Sequence, residues 1–235
     1  MALHLGRAIS NGIRRTLNVT GLVLMVLMFV YTFGFVAASN TIVANALPGR
    51  LQSQAQIGFA LPLSTASAAA LGAVCMLIGL VVLLVAARAF VRDPGNRGWD
   101  GRLFTRRMGW AVLSAIGANI VVSVAVSIGF VLLVVPGLYL AVSFMFVVFA
   151  IAVEDRGVVA AMRRSWALAA GNRWRLLALM LIVGIGTGAL ASVGSLVAIA
   201  NPMAGQVVSL AITAPLAMFS YGILADAYLQ VGGES

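Results

Sequence analysis

Lysine is absent from this chain, and histidine and cysteine occur once each, as His4 and Cys75. A lone cysteine excludes an intrachain disulfide and a cysteine zinc site. One histidine and six acidic residues leave little from which to assemble a catalytic constellation. The sequence holds no His-plus-carboxylate cluster, no Cys/His metal spacing, no phosphate-binding loop and no Ser/His/Asp set. Charged residues make up 9% of the chain, against about 25% in a soluble globular domain, and that excludes a soluble fold. A non-enzymatic protein follows as the expectation, with no catalytic residue, no cofactor and no metal.

What is present is apolar. Hydrophobic residues reach 62%, in continuous runs such as Leu80-Val81-Val82-Leu83-Leu84-Val85. Such runs lack the period-two alternation of a membrane β-barrel and favour helices. The basic residues are all arginine, fifteen of them, giving a net charge of +9. Arg7, Arg14 and Arg15 form one cluster. Arg88, Arg92, Arg97, Arg102, Arg106 and Arg107 form a second, and Arg156, Arg163, Arg164, Arg173 and Arg175 a third; only Arg50 stands apart. Between them lie the uncharged stretches 16–49, 51–87, 108–153 and 176–225. Each can cross a bilayer, because roughly 20 helical residues span about 30 Å of hydrocarbon. Arginines at span ends rather than on one soluble face point to topology and anionic lipid headgroups, not to nucleic acid.

The expected fold is all-α, with six transmembrane helices in three hairpins plus a short interfacial helix. A single membrane domain covers 1–235, with spans at about 17–38, 66–88, 108–134, 138–153, 175–200 and 206–228. Pro136-Gly137 supplies the turn between the third and fourth spans, and 201–205 separates the last two. The apolar run from Val19 to Ala38 exceeds the roughly 7–15 residues of a signal-peptide core, so it reads as a retained span. The positive-inside rule then puts both termini in the cytoplasm of a cell (inner) membrane, with every arginine but Arg50 inside or at the inner boundary. Trp110, Trp174 and Tyr228 fall near inner helix ends, and Tyr31 and Tyr139 nearer outer ones. Each hairpin runs from an arginine to a proline near a glycine. A threefold repeat would produce this pattern, and so would positive-inside topology alone.

Polar residues within this apolar chain are the site candidates. Asp93 and Asp100 read as loop ion pairs, and Glu234 lies in a tail. Glu154-Asp155-Arg156 closes the fourth helix, as helix-end chemistry paired to Arg163 or Arg164, or as a cation site or gate. Asp226 is the most buried candidate acid, close enough to a helix end to reach water or an arginine. Asn119 is the sharpest mid-span polar group, either an interhelical hydrogen bonder or part of a substrate path. Gly184, Gly188 and Ser192 make a small-residue stripe for close helix contact, and Pro215 is a kink candidate in the sixth span. Residues 157–170 form an amphipathic helix with Val158, Met162, Trp166 and Ala169 on its apolar stripe, lying in the headgroup plane. Arg163, Arg164, Trp166, Arg173 and Arg175 are therefore the candidate lipid or partner contacts.

Four short segments carry a family likeness: Pro136-Gly137-Leu138-Tyr139-Leu140, Glu154-Asp155-Arg156-Gly157, Ala161-Met162-Arg163-Arg164-Ser165-Trp166-Ala167-Leu168 and Gly171-Asn172. Together they resemble the polytopic membrane domain attached to some glycerophosphodiester phosphodiesterases, and related stand-alone membrane proteins of unknown function in bacteria and haloarchaea. The resemblance covers roughly 136–176. It implies a helical membrane module without phosphodiesterase activity, since catalysis in the fused enzymes belongs to a separate soluble barrel. No catalytic residue is carried over. The expected role is to organise or bind lipids or partner proteins, a second copy of the chain among them. The alternative is a small transporter or permease subunit for an apolar or lipid-like solute, with Asn119 and Asp226 along its path.

Overall fold

The computed structural model describes residues 4–48, 57–91 and 107–233. Expectations that rest on Gly49, Arg50, Arg92, Asp93, Arg97, Asp100, Arg102, Arg106 and Glu234 fall outside the described residues. Among those described, every regular element is a helix: α1 (Leu5–Thr16), α2 (Val19–Ala46), α3 (Thr65–Val91), α4 (Met108–Leu132), α5 (Val134–Phe144), α6 (Val147–Glu154), α7 (Val158–Ala169), α8 (Arg173–Ala200) and α9 (Pro202–Gly232). Six segments are long and apolar enough to cross a membrane: α2, α3, α4, the joined α5–α6 (Val134–Glu154), α8 and α9. That is the layout of a multi-pass membrane protein. Large apolar side chains face outward throughout, Val131 at 86% and Ile199 at 75% exposure among them, as expected where lipid is the solvent.

Several boundaries differ from the sequence expectation. α2 continues to Ala46 rather than ending near 38. The polar residues there do not stop it, because Ser39 and Thr41 donate to the carbonyls of Phe35 and Ala37 in their own helix, at 2.9 and 2.8 Å. The turn after α4 is not at Pro136-Gly137 but at the single extended residue Leu133. Pro136 instead lies in the first turn of α5, where its missing N–H would have had no helical partner anyway. Gly137 then meets Gly129 across the hairpin, close enough that a Cβ on Gly129 would lie 2.9 Å from the Gly137 Cα. Likewise α8 and α9 are separated by Asn201 alone. Its side chain caps α9 by accepting from the Ala204 N–H at 3.1 Å, and Pro202 opens the helix.

The described residues fall into two compact units. One gathers those within 23–82 and 185–218. There Gly34 lies beside the Cys75 sulfur and Gly79 beneath the Tyr31 ring, so α2 and α3 approach closely. Gly194 and Gly205 do the same for α8 and α9, against Ser209 and Ala198. Gln206 Oε1 ties down the segment before α3 by accepting from the Phe59 N–H at 2.7 Å and from the Asn40 amide at 3.2 Å. On the small-residue stripe, Gly184 and Gly188 have nothing of the described chain within 4 Å of where a Cβ would stand, whereas Gly194 further along α8 is in close contact.

The other unit holds residues within 1–22, 83–184 and 219–235. Its α1 is a polar amphipathic helix that the apolar pattern does not announce. Gly12 of α1 and Gly222 of α9 touch backbone to backbone, a crossing that no side chain would permit. In the same unit α7 runs back antiparallel to α5–α6. Ser165 donates to the Ser143 carbonyl at 2.8 Å and accepts from the Phe146 N–H at 3.2 Å, closing the break between α5 and α6. Ser165 is fully buried, so Ser165→Ala leaves an orphaned N–H and carbonyl. It is expected to lower unfolding free energy by about 1–3 kcal/mol, read by chaotropic unfolding in detergent, with partial recovery in Ser165→Thr.

Candidate functional site

Charge in the second unit is organised around the ends of α3, α6 and α9. Glu154 ends α6 and accepts from Arg164 Nε at 3.0 Å, from Arg156 and from the Tyr228 hydroxyl. Tyr228 is 3% exposed and stacks on Phe149, with ring centroids 5.6 Å apart, so its hydroxyl has little freedom to turn elsewhere. The hydrogen bond to Glu154 raises the Arg164 pKa above its ordinary value. Asp155 takes a left-handed conformation at the helix end (φ 52°), as Asp tolerates, and pairs with Arg88 at 3.6 Å. Arg88 in turn donates through Nε to the Ala152 carbonyl at 2.7 Å.

Asp226 of α9 is buried, as its sequence position suggests, and its partner is Arg15 of α1 at 3.3 Å. Gln230 donates to the other carboxylate oxygen at 2.7 Å, and Arg15 also donates to the Phe90 carbonyl at 3.0 Å. The His4 N–H completes the chain onto Gln230 at 2.9 Å. Three described acids, Glu154, Asp155 and Asp226, thus each hold arginine, and no cluster of three or more His, Cys, Asp or Glu suited to a metal occurs among the described residues.

The contact candidates of the third arginine cluster divide into three groups. Arg163 is exposed and lines an open groove with Arg156, Arg164, Val159, Ala160 and Ala167. Arg175 is also exposed. Arg164 is spent on Glu154, the pairing its spacing suggested. Arg173 and Trp166 instead form a cage with Tyr139: the guanidinium carbon lies 4.4 Å from the Tyr139 ring centroid and 4.7 Å from that of Trp166, and the two rings meet edge to face at 5.6 Å. Tyr139 and Arg173, which the sequence assigns to opposite interfaces, therefore meet. The cause is α7, which packs lengthwise along α5–α6 rather than across its end. Its buried face is Ala161, Ser165, Leu168 and Ala169; of the expected apolar stripe Ala169 lies on that face, Val158 and Met162 are half-buried, and Trp166 is left 38% exposed.

Asn119 makes no hydrogen bond across helices among the described residues. It lies on the exposed face of α4 beside Ile120, and its side-chain oxygen accepts from Ser123 of the same helix at 3.2 Å. Asp226, by contrast, is buried with Arg15 and Gln230 on its carboxylate.

The chain matches the family model described as a domain of unknown function, DUF7847, over residues 3–231, and it belongs to that family. No link to the phosphodiesterase-associated membrane domain comes with this match. No curated protein and no solved structure matches the chain.

Proposed function

We propose that this protein is a non-enzymatic multi-pass protein of the cell membrane, both termini cytoplasmic, which organises or binds lipids or partner proteins at its cytoplasmic face. The observation that carries the reading is Arg163. It is exposed beside Arg156 and Arg164 on a groove whose other walls, Val159, Ala160 and Ala167, are apolar, and it makes no ion pair among the described residues. An arginine near an anionic membrane surface contributes about 1 kcal/mol of attraction. Extraction in polymer nanodiscs followed by mass spectrometry of the co-purified material tests the reading. The wild-type lipid shell is expected to be richer in anionic over zwitterionic lipid than the bulk membrane, and Arg156→Gln/Arg163→Gln to lower that enrichment severalfold. A shell of bulk composition with no co-purified protein overturns it.

A further inference from the structure

Arg173 differs from the ion-paired arginines of its unit. Arg15, Arg88, Arg156 and Arg164 each reach a carboxylate, whereas the described carboxylates are all taken elsewhere and none reaches Arg173. What the chain supplies to Arg173 is a cage. Two aromatic rings hold the guanidinium, and one N–H donates to the Tyr139 hydroxyl. Its Nε is buried with no hydrogen-bond partner among the described residues. An unpaired buried guanidinium N–H is costly, and the cost falls when an anion accepts from it. Arg173 also opens α8, where the helix dipole adds to its positive charge.

Beside it is a cavity of about 520 Å³. That is within the roughly 300–1,000 Å³ typical of small-molecule sites. Its walls are Val135, Leu138, Val142 and Leu177, with Tyr139 and Arg173 as the polar members. The mouth is open, since Val135 is 74% exposed and Trp174, also on the wall, 84%. An aliphatic trough ending at a caged cation that no described carboxylate reaches suits one chemistry: an apolar chain joined to an anionic head.

We propose that this cavity binds one anionic phospholipid, with a headgroup phosphate oxygen accepting from Arg173 and an acyl chain lying along Val135, Leu138, Val142 and Leu177. The proposal sharpens the lipid-binding reading given above and rests on it, but names a single discrete site distinct from the Arg163 groove.

Native mass spectrometry of the full chain, released from nanodiscs of mixed phosphatidylglycerol and phosphatidylcholine, tests it. The wild type is expected to retain one phosphatidylglycerol per chain. Arg173→Gln is expected to lower retention about tenfold, the loss of one charge-assisted hydrogen bond. Leu138→Trp, which fills the trough and leaves the cage, is expected to abolish retention; Val135→Trp at the open mouth replaces it if Leu138→Trp fails to fold. Arg7→Gln, an equal charge change on the exposed face of α1, is expected to retain lipid like the wild type. Retention of neither lipid by the wild type, equal retention of both, or undiminished retention in Arg173→Gln overturns the proposal. A wild-type shell of otherwise bulk composition with no co-purified protein, with this one lipid still held, would instead overturn the broader reading alone.

Discussion

Asp226→Asn is expected to destabilise the protein by about 2–3 kcal/mol. Asp226 is buried and Arg15 largely so, with 19% of the arginine side chain exposed. Removing one partner of a buried pair leaves the other charge uncompensated, at about 3–5 kcal/mol when burial is complete. The residual exposure of Arg15 and its bond to the Phe90 carbonyl lower that figure. Asparagine keeps the shape and still accepts from Gln230, so the loss reports the charge and not a cavity. Its amide would also turn a donor toward a guanidinium that only donates. The double variant Arg15→Met/Asp226→Leu is expected to regain most of the stability, because an apolar pair of similar volume needs no desolvation of ions. Chaotropic unfolding in a fixed detergent measures all three. A double variant no more stable than Asp226→Asn would mean that Asp226 serves something other than this pair.

That pair also shows where the sequence stops being informative. Asp226 is legible as a buried acid in need of a partner, because an ionisable group within an apolar span demands one. Nothing local names Arg15, which lies 211 positions away on a helix without an apolar pattern of its own. The six long apolar helices were legible for the opposite reason: hydropathy is a property of each segment by itself. Glu154 with Arg164 was legible from the short distance along the chain. Tyr228 was not, since a tyrosine near a span end fits an interfacial belt equally well. The Pro136-Gly137 turn failed because proline punctuates a helix start as readily as a loop, and only the close meeting of Gly129 and Gly137 distinguishes the two. The cage at Arg173 required knowing that α7 turns back along α5. That is set by the buried serine contacts of Ser165, which an apolar moment does not register.

Glu154 provides the second large effect, and its size depends on which of three donors can find water. Arg156 and Arg164 keep 43% and 33% of their side chains exposed, so both can swing outward when the carboxylate is lost. Tyr228 cannot, being buried between Phe149 and Phe146. Glu154→Ala is therefore expected to cost about 2–3 kcal/mol, most of it from the buried phenol losing its carboxylate acceptor and the two arginines left facing each other. Tyr228→Phe alone is expected to cost about 1 kcal/mol, since removing the donor strands no buried group. In the double variant the phenol term is already gone, so the two losses are expected to fall short of additivity by about 1 kcal/mol. Salt separates the remaining contributions: screening weakens the exposed arginine pairs and leaves the buried phenol bond nearly unchanged. The cost of Tyr228→Phe is thus expected to be the same in low and high salt, while that of Glu154→Ala shrinks as salt rises. Additive losses, or a Tyr228→Phe cost that falls with salt, would mean that the arginines and not the phenol hold the end of α6 against α9.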